Sequence, residues 1–115
     1  MSQKLLISDA NILIDVIDGG IVDEMFMLEW EFGVPDVLFH YELKNHYPWL
    51  PGKGLKVMGL AAAGILDTVQ LGVKHAKTGV SNNDCMALAL ARQEDCPLLT
   101  GDAALRQVAL DEGAI

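Results

Sequence analysis

Basic residues are scarce in this chain. Eight Lys and Arg stand against sixteen Asp and Glu in 115 residues, a formal charge of −8 at pH 7. No basic run occurs, so the sequence carries no electrostatic footprint of a sequence-reading DNA binder. A nucleic-acid enzyme is not excluded, because bound cations can supply positive charge. Cysteine is sparse too. Cys85 and Cys96 form no CxxC pair and do not build a disulfide scaffold, so a reduced intracellular protein is expected. Long apolar runs are missing. The longest, residues 57–66, falls well short of the ~20 residues that a membrane span needs. Residues 1–7 are too short for a signal peptide, and Asp9 interrupts them. A cytoplasmic protein with no membrane contact is the expectation. Repeats, low-complexity segments and linkers are absent as well.

Apolar residues make up 51% of the chain and charged residues 21%, which describes a globular domain rather than a disordered one. A chain of this length buries roughly two-thirds of its unfolded surface, enough for a core. Residues 5–7 read as a buried strand. Ile12, Leu13 and Val16 follow at helical spacing, and Gly19-Gly20 stops that helix. Residues 21–30 read as a second helix through Ile21, Met25 and Leu28. Residues 34–39 read as a strand with Pro35 near its start. A helix over 40–46 carries Glu42. Pro48, Pro51, Gly52 and Gly54 mark residues 47–54 as a loop. A helix over 55–63 and a strand over 65–71 come next, and residues 72–80 read as neither. Residues 85–91 are small or apolar throughout, as in a helix buried on more than one side. A strand over 97–100 and an amphipathic helix over 103–112 complete the chain. This alternation predicts an α/β domain with a mainly parallel sheet.

Four acids fall at the ends of these elements. Asp9 follows the first strand, and Asp102 follows the strand ending at Thr100. Ligands of open parallel sheets bind outside the carboxyl ends of strands, near a switch in strand order. Glu42, after the second strand, and Asp84, opening the buried helix, are placed to converge there. Carboxylates packed without a cation repel, and some must hold protons. Mg²⁺ and Mn²⁺ take oxygen ligands of this kind. With such a cation the set becomes a phosphoryl-transfer site. Each acid also has a plainer role. Asp9 and Asp102 suit the N-caps of the helices that follow them. Ser81-Asn82-Asn83-Asp84 resembles a capping box with Asp in the place of Glu. Glu42 reads equally as an exposed helical acid.

These residues resemble the PIN domain, the nuclease fold of VapC-type toxins and related ribonucleases, over essentially the whole chain. Leu5-Leu6-Ile7-Ser8-Asp9-Ala10-Asn11 is similar to the family's first strand and D-x-N motif. Val34-Pro35-Asp36-Val37 with Tyr41-Glu42-Leu43 is similar to its second strand and Glu-bearing helix. Asn83-Asp84-Cys85 through Ala91 is similar to its D-x-x-x-x-x-x-A helix. Leu98-Leu99-Thr100-Gly101-Asp102, with Leu105 and Ala109, is similar to its strand ending in T-x-D.

The resemblance implies a three-layer α/β/α sandwich with a mainly parallel sheet of four to five strands. It implies that Asp9, Glu42, Asp84 and Asp102 bind Mg²⁺ or Mn²⁺ and hydrolyse phosphodiester bonds of single-stranded RNA. Asn11 and Thr100 would position water, metal or phosphate by hydrogen bonding. Implied partners are the RNA substrate, a small antitoxin protein and a second copy in a homodimer. The family pattern continues past Ile115, so the resemblance implies one domain over residues 1–115 without its last strand and helix. Residues 47–64 do not follow the pattern, and the negative charge does not help to hold RNA. A non-catalytic PIN-like module that binds a protein or RNA partner is therefore the alternative. A receiver-type signalling domain would need paired acids after the first strand and a lysine after the fifth, and the chain has neither.

Other residues read as structural. His40, His46 and His75 lack zinc-ligand spacing. Lys44, Arg92 and Arg106 are candidate phosphate contacts, with a solvated face as the plainer reading of each. Trp30 reads as packing, while Tyr47 and Trp49 sit in a loop. Met25, Met27 and Met58 read as core filler, and Cys85 as a small buried hydrophobe.

Overall fold

The computed structural model describes residues 4–113. Four strands, β1 (Lys4–Ser8), β2 (Trp30–Pro35), β3 (Lys56–Met58) and β4 (Leu98–Leu99), form one all-parallel sheet in the order β3-β2-β1-β4. Helices flank it in a three-layer α/β/α arrangement. They are α1 (Ala10–Asp18), α2 (Val22–Phe26), α3 (Asp36–Leu38), α4 (Leu50–Lys53), α5 (Ala62–Lys74), α6 (Asn82–Gln93) and α7 (Ala103–Asp111). From β1 the chain winds outward through β2 to β3, then returns to lay β4 on the other side of β1. Ile7 pairs with Leu98 and Ser8 with Leu99. The switch in strand order therefore lies between β1 and β4, where such folds place their ligands.

Helix α6 holds the layers together. Every residue from Cys85 to Ala91 is buried. Ala87, Leu90 and Ala91 pack into the core shared with Ile7, Leu13, Phe32, Val34 and Leu38. Cys85, Leu88 and Ala89 pack instead against Leu71, Leu105 and Val108 of α5 and α7. A helix serving two cores must be apolar all round, as its sequence suggests.

Several elements differ from the sequence reading. The second strand is Trp30–Pro35, not 34–39. Pro35 closes the strand and serves as N-cap of α3 at φ −60°, because its fixed φ suits a helix entry and it offers no N–H to a continuing ladder. The helix read over 21–30 is accordingly short, Val22–Phe26. The third strand is Lys56–Met58, inside the segment read as helix, and α4 lies within the stretch read as loop. Residues 65–71, read as a strand, belong to α5. The buried face of α5 is made of Gly64, Thr68 and Leu71, while Ile65, Leu66, Val69 and Val73 are exposed. Its apolar pattern faces outward, so periodicity read as a core signal misplaces it. Met27 is 83% exposed and is not core filler, unlike Met25 at 8%.

Candidate metal centre at the carboxyl edge of the sheet

Asp9 leaves β1 beside the end of β4, and only 1% of it is exposed. Its backbone N–H donates to the Leu99 carbonyl at 3.1 Å, extending the β1–β4 pairing by one residue. One carboxylate oxygen, Oδ1, accepts from the Ile12 N–H at 2.9 Å and so caps α1. The other, Oδ2, accepts from the Thr100 hydroxyl. Burial of a carboxylate is tolerable only with such partners.

Thr100 reaches both ways. Its Oγ1 also accepts the backbone N–H of Asp102 at 3.0 Å. Asp102 then caps α7, with Oδ1 accepting from Ala104 N at 2.8 Å and from Leu105 N at 3.2 Å. The strand end Leu99, the hydroxyl of Thr100 and two helix N-termini thus fix the two acids on either side of the switch. Asn11 lies exposed in the first turn of α1.

Asp84 sits in the first turn of α6 within a capping box. The Ser81 hydroxyl accepts from Asp84 N at 3.0 Å, and Asp84 Oδ2 accepts from Ser81 N at 3.4 Å. Glu42 is carried by a π-helical turn, Phe39–Leu43, that continues α3. The Lys44 N–H closes this turn on the Phe39 carbonyl at 2.8 Å. Such turns are rare and are often found at functional sites. Spacing in the sequence gave no sign of it.

Electrostatics link the four acids. Loss of hydration pushes the Glu42 carboxyl above the usual carboxylate range, and the negative charges of Asp84 and Asp9 push the same way. The polar side chain of Asn83 near Glu42 works against this. Asp84 is also raised, first by desolvation, then by Asp102 and Asp9, while its hydrogen bonds with Ser81 oppose the rise. Glu42 and Asp84 therefore each feel other members of the set. Asn83 is a neighbour that sequence reasoning missed. Its place one residue before Asp84 was the available signal.

Among the described residues, no three His, Cys, Asp or Glu side chains close into a ligand shell. Mg²⁺ does not require one, since it commonly binds one or two carboxylates and keeps several waters or substrate oxygens. The donor set is all oxygen, which fits hard divalent cations and not zinc or copper. Asp84 Oδ1 and Asp102 Oδ2 are not engaged in the caps described above. The capping and ligand roles are thus compatible in one side chain.

No protein-family model and no curated protein matches the chain.

Proposed function

We propose that the protein is a PIN-like ribonuclease that hydrolyses phosphodiester bonds of single-stranded RNA with Mg²⁺ or Mn²⁺. The observation that supports this reading is that Asp9 and Asp102 flank the switch between β1 and β4, joined through Thr100, while Glu42 and Asp84 each feel the charge of other acids of the set. Asp9 is the fixed member, locked by Thr100 and Ile12. Asp84 and Asp102 offer a free oxygen each, and Glu42 approaches on the π-helical turn beside Asn83. A divalent cation held by these acids would neutralise charge on the scissile phosphate and on the leaving oxygen. The protein's own share is to bury Asp9 and to orient Asp9, Asp84 and Asp102 through the helix caps they form. Asn11, exposed beside Asp9, is proposed to meet phosphate or water.

The test is cleavage of a mixed single-stranded RNA pool with Mn²⁺ or Mg²⁺, beside lanes with EDTA and with Asp84→Asn protein. Cleavage lost in both controls supports the reading. Folded protein that cleaves in no lane refutes it.

Partner proteins belong to the same proposal. An apolar groove of about 490 Å³ is lined by Ile12, Val16, Ile21, Met25, Leu28 and Trp30, among others. Between Lys4 and Lys44 the chain carries no Lys or Arg, while Asp15, Asp18, Asp23, Glu24 and Glu29 surround this region in sequence. A small antitoxin with an apolar, basic segment suits that groove. The exposed apolar stripe Ile65, Leu66, Val69 and Val73 on α5 suits a second copy. Cys85 and Cys96 are both free thiols, in keeping with a reducing cytoplasm. Among the described residues, no helix is long and apolar enough to cross a membrane.

A non-catalytic binding module remains the second reading. It is favoured by the open spacing of the acids and by the two unfilled apolar surfaces.

A further inference from the structure

The negative charge of the chain is not uniform. From Leu43 to Leu66 there is no Asp or Glu, while Lys44, Lys53 and Lys56 fall in this stretch. Lys53 is paired with Asp23 at 2.7 Å, and Lys56 with Glu31 at 3.0 Å. Lys44 makes no ion pair with any described residue. It lines an open depression of about 440 Å³ together with Asp36, Val37, Phe39, His40 and Tyr41.

Tyr41 is 72% exposed in that depression. Its ring meets the His40 ring edge to face, with centroids 5.0 Å apart and planes at 83°. The contact restrains the ring while leaving most of it open to solvent. Both residues stand on the π-helical turn that carries Glu42, and Lys44 closes that turn. An exposed aromatic ring, a lysine with no ion pair among the described residues and a candidate site acid are therefore mounted on one hydrogen-bonded turn.

We propose that Tyr41, braced by His40 and accompanied by Lys44, is the stacking platform for one base of a single-stranded RNA. The Lys44 ammonium takes a phosphate of the same strand. This inference rests on the ribonuclease reading and names how that site holds its substrate. Single strands are held by base–aromatic stacking and by cation–phosphate contacts, and stacking tolerates any base because every base has a π-face. A chain with net charge −8 repels RNA at long range, so contact-range stacking beside one lysine is the form of grip that its composition allows. The Asp36 carboxylate in the same lining disfavours a second phosphate there and leaves the depression to a base.

The experiment measures binding of a fluorescein-labelled mixed-sequence single-stranded RNA to the full chain in EDTA, and then KM and kcat for its cleavage with Mn²⁺. Tyr41→Ala is expected to weaken binding and raise KM by about 5-fold to 100-fold, with kcat little changed, while Tyr41→Phe keeps both. Lys44→Ala is expected to reduce the slope of log affinity against log salt by about 0.7. Wild-type affinity and KM in Tyr41→Ala overturn the platform, and the ribonuclease reading survives if the protein still cleaves. Tyr41-dependent binding without any cleavage supports the platform and removes the ribonuclease reading. Wild-type protein that does not bind the RNA overturns the platform.

Discussion

The Thr100 hydroxyl donates to the Asp9 carboxylate, joining the ends of β4 and β1 across 91 positions of sequence. Because Thr100 also accepts from the Asp102 backbone, one hydroxyl sets the spacing of two acids. It is both a structural bond and a positioning device, and the two roles make separable predictions.

Thr100→Val removes the donor to a carboxylate that is almost wholly buried. The loss should cost about 1–3 kcal/mol, the price of leaving a buried polar group unpaired. Thr100→Ser should retain most of the stability. Urea unfolding of the two variants, with the wild type alongside, checks this. Equal stability of all three would remove Thr100 from the site's framework.

Glu42 and Asp84 both bind protons more tightly in the folded protein than their ordinary values allow. Raised carboxyl values mean that their ionised forms oppose folding at neutral pH, and that this penalty lifts as pH falls through the raised values. Glu42→Gln should therefore stabilise the protein at pH 7 in EDTA by a few tenths of a kcal/mol, since the group is partly solvated. The gain should shrink on acidification. Thermal melts at several pH values give the answer, and a destabilised Glu42→Gln protein would contradict the clustered-acid picture.

Glu112 has the opposite sign. Lys74 at 2.7 Å, His75 at 2.8 Å and Arg92 at 3.1 Å converge on its carboxylate. The Lys74 and His75 hydrogen bonds hold it down to about 2 from 4.5, against the cost of burial. An ionised carboxylate only accepts, so His75 Nε2 carries the proton in this bond. The stability it contributes is complete above about pH 4.5 and is lost as pH falls towards 2. Glu112→Gln should cost about 1–2 kcal/mol at neutral pH after solvent screening. The gap from wild type should close by pH 2. A gap that stays constant across that window would mean the ion cluster does not act as described.

The α5 stripe gives a test of self-association. Val73 is 76% exposed, so Val73→Lys should alter monomer stability by no more than ~0.5 kcal/mol. If a second copy covers the stripe, light scattering should show a dimer in the wild type and a monomer in this variant. A wild-type monomer at high concentration would leave the face to another partner.

Much of this fold was legible in the sequence because its signals were local. The strand read over residues 5–7, which lies within Lys4–Ser8, the caps at Asp9 and Asp102, and the Ser81–Asp84 capping box all depend on neighbours within a few residues. The all-apolar run from Cys85 to Ala91 announced a helix buried on several sides. Elements with inverted or mixed signals were not legible. Helix α5 buries Gly64 and Thr68 and exposes its valines, and Pro35, whose fixed φ suits either end of a strand in the sequence, closes β2. The four acids could be named from the sequence. The π-helical turn under Glu42 and the open Tyr41 ring depend on backbone geometry that no spacing rule encodes.

The central claim is that the four acids close on a divalent cation although no three of them are gathered without one. Calorimetric titration of Mn²⁺ into the folded, metal-free protein tests this most directly, with Asp84→Asn and Asp102→Asn run in parallel. We predict saturable binding to the wild type, weakened at least tenfold in each variant. Absence of saturable binding to folded wild-type protein, or equal binding to all three, would contradict the account.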